Sequence, residues 1–186
     1  MTRTQLIQAA FHNFGEHGYN GGSLAQIAEE VGIKKQSIYT YFKSKDELYL
    51  AIYDEAMQFE LAFVENYMAN AFDKSIEQAL LPLLEQVEQR FEQLVETKFF
   101  IRSSYLTPHH MQATLNEQTY YYLDALQALF EQFFNTQTLS VTANEAAISY
   151  LALLDSLYVE MLYGGNERFQ KRLQASWKIF YRGITN

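Results

Sequence analysis

The sequence predicts an all-α protein of about nine helices, and three observations carry that expectation. The 186 residues contain only two prolines and eight glycines, so few positions force the chain out of a helix. Apolar residues recur at three- and four-residue spacing, and no run alternates long enough to make a sheet. Ser or Thr precedes several apolar stripes with Glu or Gln three residues later, the signature of a capped helix start. With 48% hydrophobic residues the chain can bury one good core and a small second one.

The first helix is expected over roughly residues 3–16, with Leu6, Ile7, Ala10, Phe11 and Phe14 on one stripe and Gly15 and Gly18 marking its end. After a turn through Tyr19-Asn20-Gly21-Gly22, the capping box Ser23-Leu24-Ala25-Gln26 starts a short helix whose Leu24, Ile27, Ala28 and Val31 face inward. Gly32 ends it. A third short helix begins near Lys34 or Lys35 with Ile38, Tyr39 and Phe42 at helical spacing, and Ser44 caps a long helix running to about Asn70. Ser75-Ile76-Glu77-Gln78 opens a helix continuing through Leu94 and Val95, which Pro82 should kink or interrupt. Thr107-Pro108 reads as a cap and first helical residue of a segment reaching about Asn135. Thr142-Ala143-Asn144-Glu145 is a third capping box, leading a strongly apolar helix to Gly164-Gly165, and a final helix carries Phe169, Leu173, Trp177, Phe180 and Ile184.

Composition removes several chemistries. With no cysteine there are no disulfides, thiolate zinc clusters or cysteine nucleophiles. His109 and His110 are adjacent, so on a helix they point about 100° apart, and His12 and His17 lie far away in sequence. No metal site, cofactor or catalytic constellation is implied. The amino terminus runs into a helical pattern without an apolar signal core, and no run approaches the ~18 apolar residues of a membrane span. A soluble, cytoplasmic protein with no membrane partner is expected.

The net charge of −8 resolves by position. Residues 1–50 hold five basic groups (Arg3, Lys34, Lys35, Lys43, Lys45) and five acidic ones, and the remainder holds 9 basic against 17 acidic. Four of the five basic residues cluster between 34 and 45, where they can neutralise phosphates locally. Two short helices joined by a glycine turn and braced by a preceding helix have the size and shape of a helix-turn-helix, whose second helix enters the major groove of DNA. The groups offered by that helix suit base edges and phosphates. The candidate contacts are Ser23, Lys34, Lys35, Gln36, Ser37, Tyr39, Thr40, Tyr41 and Lys45, with Ser23 and Lys45 at helix amino termini where phosphates can be held.

Ala9-Ala10, Phe14, Gly18-Tyr19, Ser23-Leu24, Ile27-Ala28, Gly32-Ile33-Lys34-Lys35, Ile38-Tyr39, Tyr41-Phe42 and Lys45-Asp46-Glu47-Leu48 fall in one order at fixed spacing. In this the chain resembles the TetR family of transcriptional regulators over about residues 5–50. The resemblance implies a helix-turn-helix DNA-binding domain (1–47) and a larger helical ligand-binding and dimerisation domain (48–186). It further implies a homodimer on a palindromic double-stranded operator, repressing until a small molecule releases it. Two positions depart from the family pattern: Gln36, where glycine is commonest, and Lys34, where a small hydroxyl residue usually caps the recognition helix.

The carboxy-terminal part is rich in Phe and Tyr interspersed with acids, which suits an aromatic or cationic small-molecule effector. Phe91, Glu92, Phe99, Tyr105, Tyr121, Tyr122 and Phe130 are the candidate lining. The last two helices carry wide apolar faces, and Leu151, Leu154, Tyr158, Leu173, Trp177 and Phe180 are the candidate dimer interface, as a four-helix bundle with the symmetry mates. Two other readings stay open: a DNA-binding regulator controlled by a partner protein, and a helical enzyme.

Overall fold

The computed structural model describes residues 3–186 and is all-helical among them. Nine α-helices follow in order: α1 (Arg3–Gly21), α2 (Leu24–Glu30), α3 (Lys35–Ile38), α4 (Lys45–Ala69), α5 (Ile76–Gln93), α6 (Val95–Tyr105), α7 (Gln112–Phe134), α8 (Ala143–Tyr163) and α9 (Asn166–Thr185). A 3-10 turn (His109–Met111) precedes α7. The chain divides into two compact units, one comprising the segment through Glu60 with Leu94–Tyr120, the other Leu61–Gln93 with Tyr121–Asn186. That division passes through α4 and α7, because α6 and the first part of α7 fold with the amino-terminal helices.

The core of the first unit is aromatic. Phe11 of α1, Tyr49 of α4 and Phe99 of α6 meet edge to face, with the Phe99 ring 5.5 Å from Phe11 and 5.2 Å from Tyr49, a geometry that suits ring quadrupoles. The hydroxyls follow the same logic: Tyr49 donates to Ser103 Oγ at 2.7 Å, and Tyr53 bonds Thr119 Oγ1 at 2.7 Å. Burial pushes the Tyr49 hydroxyl up to about 12. α1 bends at Gly18, whose φ of +66° a side chain would resist.

In the second unit α9 buries Phe169, Leu173, Trp177, Phe180 and Ile184 along one stripe, each contributing about 2–3 kcal/mol by removal from water. Tyr150 of α8 is fully buried, 4.7 Å from the Phe130 ring and donating to the Leu80 carbonyl at 2.9 Å. Thr142 and Glu145 form a reciprocal capping box at the start of α8. Among the described residues α8 is the one helix long and apolar enough to cross a membrane, with a mean hydropathy of 1.2, and 39% of that stretch is buried within the protein.

Three boundaries correct the sequence reading. α5 runs without interruption through Pro82, because its face of Ile76, Ala79, Leu80, Leu83, Leu84 and Val87 is buried and outweighs one missing backbone hydrogen bond. The break comes at Leu94 instead, whose extended φ and ψ separate α5 from α6. Thr107-Pro108 does not open α7 directly: Pro108 caps the 3-10 turn, and α7 starts at Gln112.

Candidate nucleic-acid interface

α2 and α3 are joined by a tight turn that glycine makes possible. The Gly32 amide donates to Glu29 and the Ile33 amide to Ala28, at 3.0 and 2.8 Å, the paired bonds of a helix ending in a left-handed residue. Gly32 has φ +72°. α3 is shorter than expected, four residues, and continues as turns in which the Tyr39, Thr40 and Tyr41 amides reach back to Gln36, Ser37 and Ile38. Ile38 and Phe42 are buried and fix this segment, so the opposite side stands in solvent.

The solvent side carries Lys34, Lys35, Gln36, Tyr39, Thr40 and Tyr41, all exposed, with Ser37 half-buried. Tyr39 is 48% and Tyr41 39% exposed, so both phenol rings are open to a partner surface. The structure therefore brings these seven predicted contacts to one short stretch. Lys34 occupies the cap position of α3, where no side-chain hydrogen bond closes the helix end, and its side chain is exposed.

Ser23 and Lys45 both stand at helix amino termini, as expected, and both also bond within the protein. Ser23 caps α2, its hydroxyl accepting from Ala25 N at 3.3 Å. Gln26 does not complete the capping box. Its side chain accepts from Asn13 Nδ2 at 3.2 Å, and Asn13 Oδ1 takes the Ser23 amide at 2.8 Å. Lys45 turns inward: Nζ donates to the Gly22 carbonyl at 2.7 Å and lies 4.3 Å from the Tyr19 ring centroid. Burial holds its ammonium below the usual lysine range. Ser44 caps α4 as expected, its Oγ accepting from Glu47 N at 3.0 Å.

Asn13 was missed by the sequence reading. The available signal was an amide in the apolar face of the first helix, three residues after Ala10, where a buried polar group requires partners.

The residues predicted to line an effector pocket fall in both units. In the first, Phe99 is fully buried among Phe11, Tyr49 and Tyr53, and Tyr105 is half-buried. In the second, Tyr122 and Phe130 are buried, Phe91 is half-buried, and Glu92 and Tyr121 are exposed. Phe130 serves as core against Tyr150.

The predicted dimer residues divide by burial. Leu154, Leu173, Trp177 and Phe180 are buried inside one chain, because the same stripe of α9 that is most apolar also has the monomer core to cover. Leu151 and Tyr158 are half-buried. Among the large apolar groups that α8 and α9 leave in solvent are Ile148 at 49%, Ile179 at 71% and, at the end of α8, Tyr163 at 72% exposure. Ile179 borders a groove of about 440 Å³ lined by Ser149, Leu153, Ala175, Ser176 and Phe180. At the far end of these helices Glu160 accepts from Arg168 Nε at 3.0 Å and pairs with Arg172.

Residues 6–52 match the sequence model of the bacterial regulatory proteins of the tetR family. The chain is 25% identical over 135 residues to a fatty acid metabolism regulator protein of Bacillus subtilis, a match spanning 69% of this chain and 66% of that relative. It is 24% identical over 164 residues to the negative transcriptional regulator IcaR of the icaADBC biofilm operon of Staphylococcus aureus, spanning 85% and 83%. Among solved structures, NalD of Pseudomonas aeruginosa, the secondary repressor of the MexAB-OprM efflux pump, superposes with a TM-score of 0.71 at 19% identity, over 99% and 97% of the two chains. FadR of Bacillus subtilis in complex with stearoyl-CoA superposes with a TM-score of 0.70 at 18% identity, over 98% and 100%. The two superpositions carry the fold.

Proposed function

From the premise that this chain is a transcriptional regulator carrying a TetR-family helix-turn-helix domain, we propose that it is a homodimeric repressor that binds a palindromic operator through α2 and α3. The observation that carries this reading is the exposed row Lys34, Lys35, Gln36, Tyr39, Thr40 and Tyr41 over the buried anchors Ile38 and Phe42. Lys34 and Lys35 meet phosphates or guanine acceptors, Gln36 can pair with adenine through both ends of its amide, and the tyrosines pack on sugars and thymine methyls. Lys45 and Ser23 act one step removed, holding the turn that starts α2.

The second copy docks on the α8 and α9 face that presents Ile148 and Ile179, forming a four-helix bundle. The paired recognition segments then address half-sites about one DNA turn, roughly 34–36 Å, apart. A small molecule that prefers a dimer with the wrong spacing releases the DNA. α4 is the lever in this scheme, since it follows the reading segment directly and continues for 25 residues. The protein acts in the cytoplasm, where the operator is. Its effector is an amphipathic compound with an aromatic or cationic group. An acyl-CoA is the second reading, favoured by the stearoyl-CoA bound to FadR.

The test is selection of duplexes from a randomised pool, followed by anisotropy at fixed salt with the wild type and the double variant Lys35→Ala, Tyr39→Ala. A palindrome bound by the wild type and lost in the variant supports the reading. Enrichment of no sequence, with equal weak binding by both proteins, overturns it and moves control by a partner protein ahead. A thermal-shift screen separates the effectors: lipophilic cations raise the melting temperature under the first reading, long-chain acyl-CoA under the second.

A further inference from the structure

Side chains from three separate elements of the first unit meet where α4 begins. Tyr19, just past the bend in α1, donates its hydroxyl to Asp46 Oδ1. His110, on the 3-10 turn between α6 and α7, places Nε2 3.3 Å from Asp46 Oδ2. The imidazole also stands edge-on to the Tyr19 ring at 5.2 Å between centroids. The same ring lies 4.3 Å from Lys45 Nζ, which donates to the carbonyl of Gly22. Gly22 immediately precedes Ser23, the cap of α2. A continuous set of contacts thus runs from the corner between α6 and α7 to the start of the helix-turn-helix.

Neither Asp46 nor His110 fills the core, their side chains being 42% and 52% exposed, so the pair is not needed to exclude water. We propose that His110 is a positioning residue for operator binding, its protonated imidazole holding Asp46, and through it Tyr19, Lys45 and the Gly22–Ser23 turn, in the arrangement that reads DNA. This rests on the reading that α2 and α3 bind a duplex.

Two physical effects give the sign. An imidazolium neutralises a carboxylate in the first turn of α4, three residues after the exposed Lys43, and so weakens its repulsion of DNA phosphates. It also ties down a turn that otherwise loses its freedom on binding, which lowers the entropic cost of docking. The groups facing His110 are Asp46 of α4 and the Tyr19 ring, with Lys45 beside Asp46 and His109 next in the turn. Asp46 remains ionised across the histidine range, because donation from Tyr19 first and then from His110 holds its carboxyl below the usual value. Tyr19, pushed up to about 12 by burial and by Asp46, remains a donor throughout. Imidazole is the side-chain type whose ordinary value lies nearest neutrality, and that sets a test window of about pH 5.5 to 8.

Two measurements on the full chain decide this. In amide hydrogen exchange, His110→Gln should exchange several-fold faster than wild type over residues 19–25 at about pH 5.5 and no faster at about pH 8. His109→Gln should match wild type, and Asp46→Asn should cancel the difference. In anisotropy with a selected duplex at constant ionic strength, wild-type affinity should rise about three- to five-fold more than that of His110→Gln over the same fall in pH. Equal exchange in wild type and His110→Gln at acid pH, or the same acceleration in His109→Gln, overturns the tether. Different exchange with identical pH profiles of duplex affinity overturns its role in operator binding. Selection that enriches no duplex overturns the DNA reading itself, and the exchange comparison then decides the tether alone.

Discussion

Gly32 has a backbone that an alanine would adopt only at a cost, since φ is +72° while the space where a Cβ would stand is open. The penalty of Gly32→Ala is then conformational, about 1–2 kcal/mol, read as a lower urea midpoint with an unchanged slope. An unchanged midpoint would mean that α2 does not need its left-handed end. Asn13→Ala removes both bonds from α1 to the start of α2 and leaves the Ser23 amide without its acceptor. A loss of about 1–3 kcal/mol is expected, together with weaker operator binding, because Ser23 begins the helix that supports the reading segment. At this scale the sequence separates cleanly. The exposure of residues 34–36 and 39–41 and the burial of Ile38 and Phe42 were legible because local helical spacing puts them on opposite sides. The roles of Asn13, Lys45 and His110 were not, since their partners Ser23, Gly22 and Asp46 are brought to them by tertiary folding.

Among the elements, α9 shows how a pattern can be read correctly without revealing which surface it covers. The stripe Phe169, Leu173, Trp177, Phe180 and Ile184 was legible from its spacing, but periodicity does not tell which body a helix covers, and it covers its own chain. Trp177→Ala should therefore destabilise the protein by about 3–5 kcal/mol. Ile179→Asp, two residues on and about 200° around the helix, should leave the helical content intact and shift the mass by light scattering from dimer to monomer at micromolar concentration. A dimer that survives Ile179→Asp places the interface elsewhere. The junction of α8 and α9 has its own signature in pH. The Glu160 carboxyl is held below its usual range by the Arg168 guanidinium first and then by Arg172. A depressed acid stabilises the fold above its unfolded-state value, near 4.3, and loses that contribution as pH falls through the lower folded value. Wild type should lose melting temperature faster than Glu160→Gln below about pH 4, whereas parallel curves would show that the pair adds nothing.

For the whole molecule, the charge distribution sets how operator affinity depends on salt. Residues 51–186 carry 9 basic and 17 acidic groups, so a protomer is drawn to DNA only through its short cationic segment. In that segment Lys34, Lys35 and Lys43 are exposed, while Lys45 is committed to Gly22. Two protomers then present six ammonium groups, and the logarithm of operator affinity should fall against the logarithm of salt with a slope of about −5. Lys35→Ala, which removes one group from each protomer, should flatten the slope by about 2, and Gln36→Ala should leave it unchanged while weakening discrimination at the base pair it reads. Lys45→Ala is the decisive comparison. If Lys45 stays inward on the operator, its loss lowers affinity at every salt concentration without changing the slope, as expected for a group that shapes the turn before α2. A slope near −7 in the wild type, flattened by about 2 in Lys45→Ala, would mean that Lys45 leaves the Gly22 carbonyl when DNA arrives and that the contacts at the start of α4 rearrange on binding.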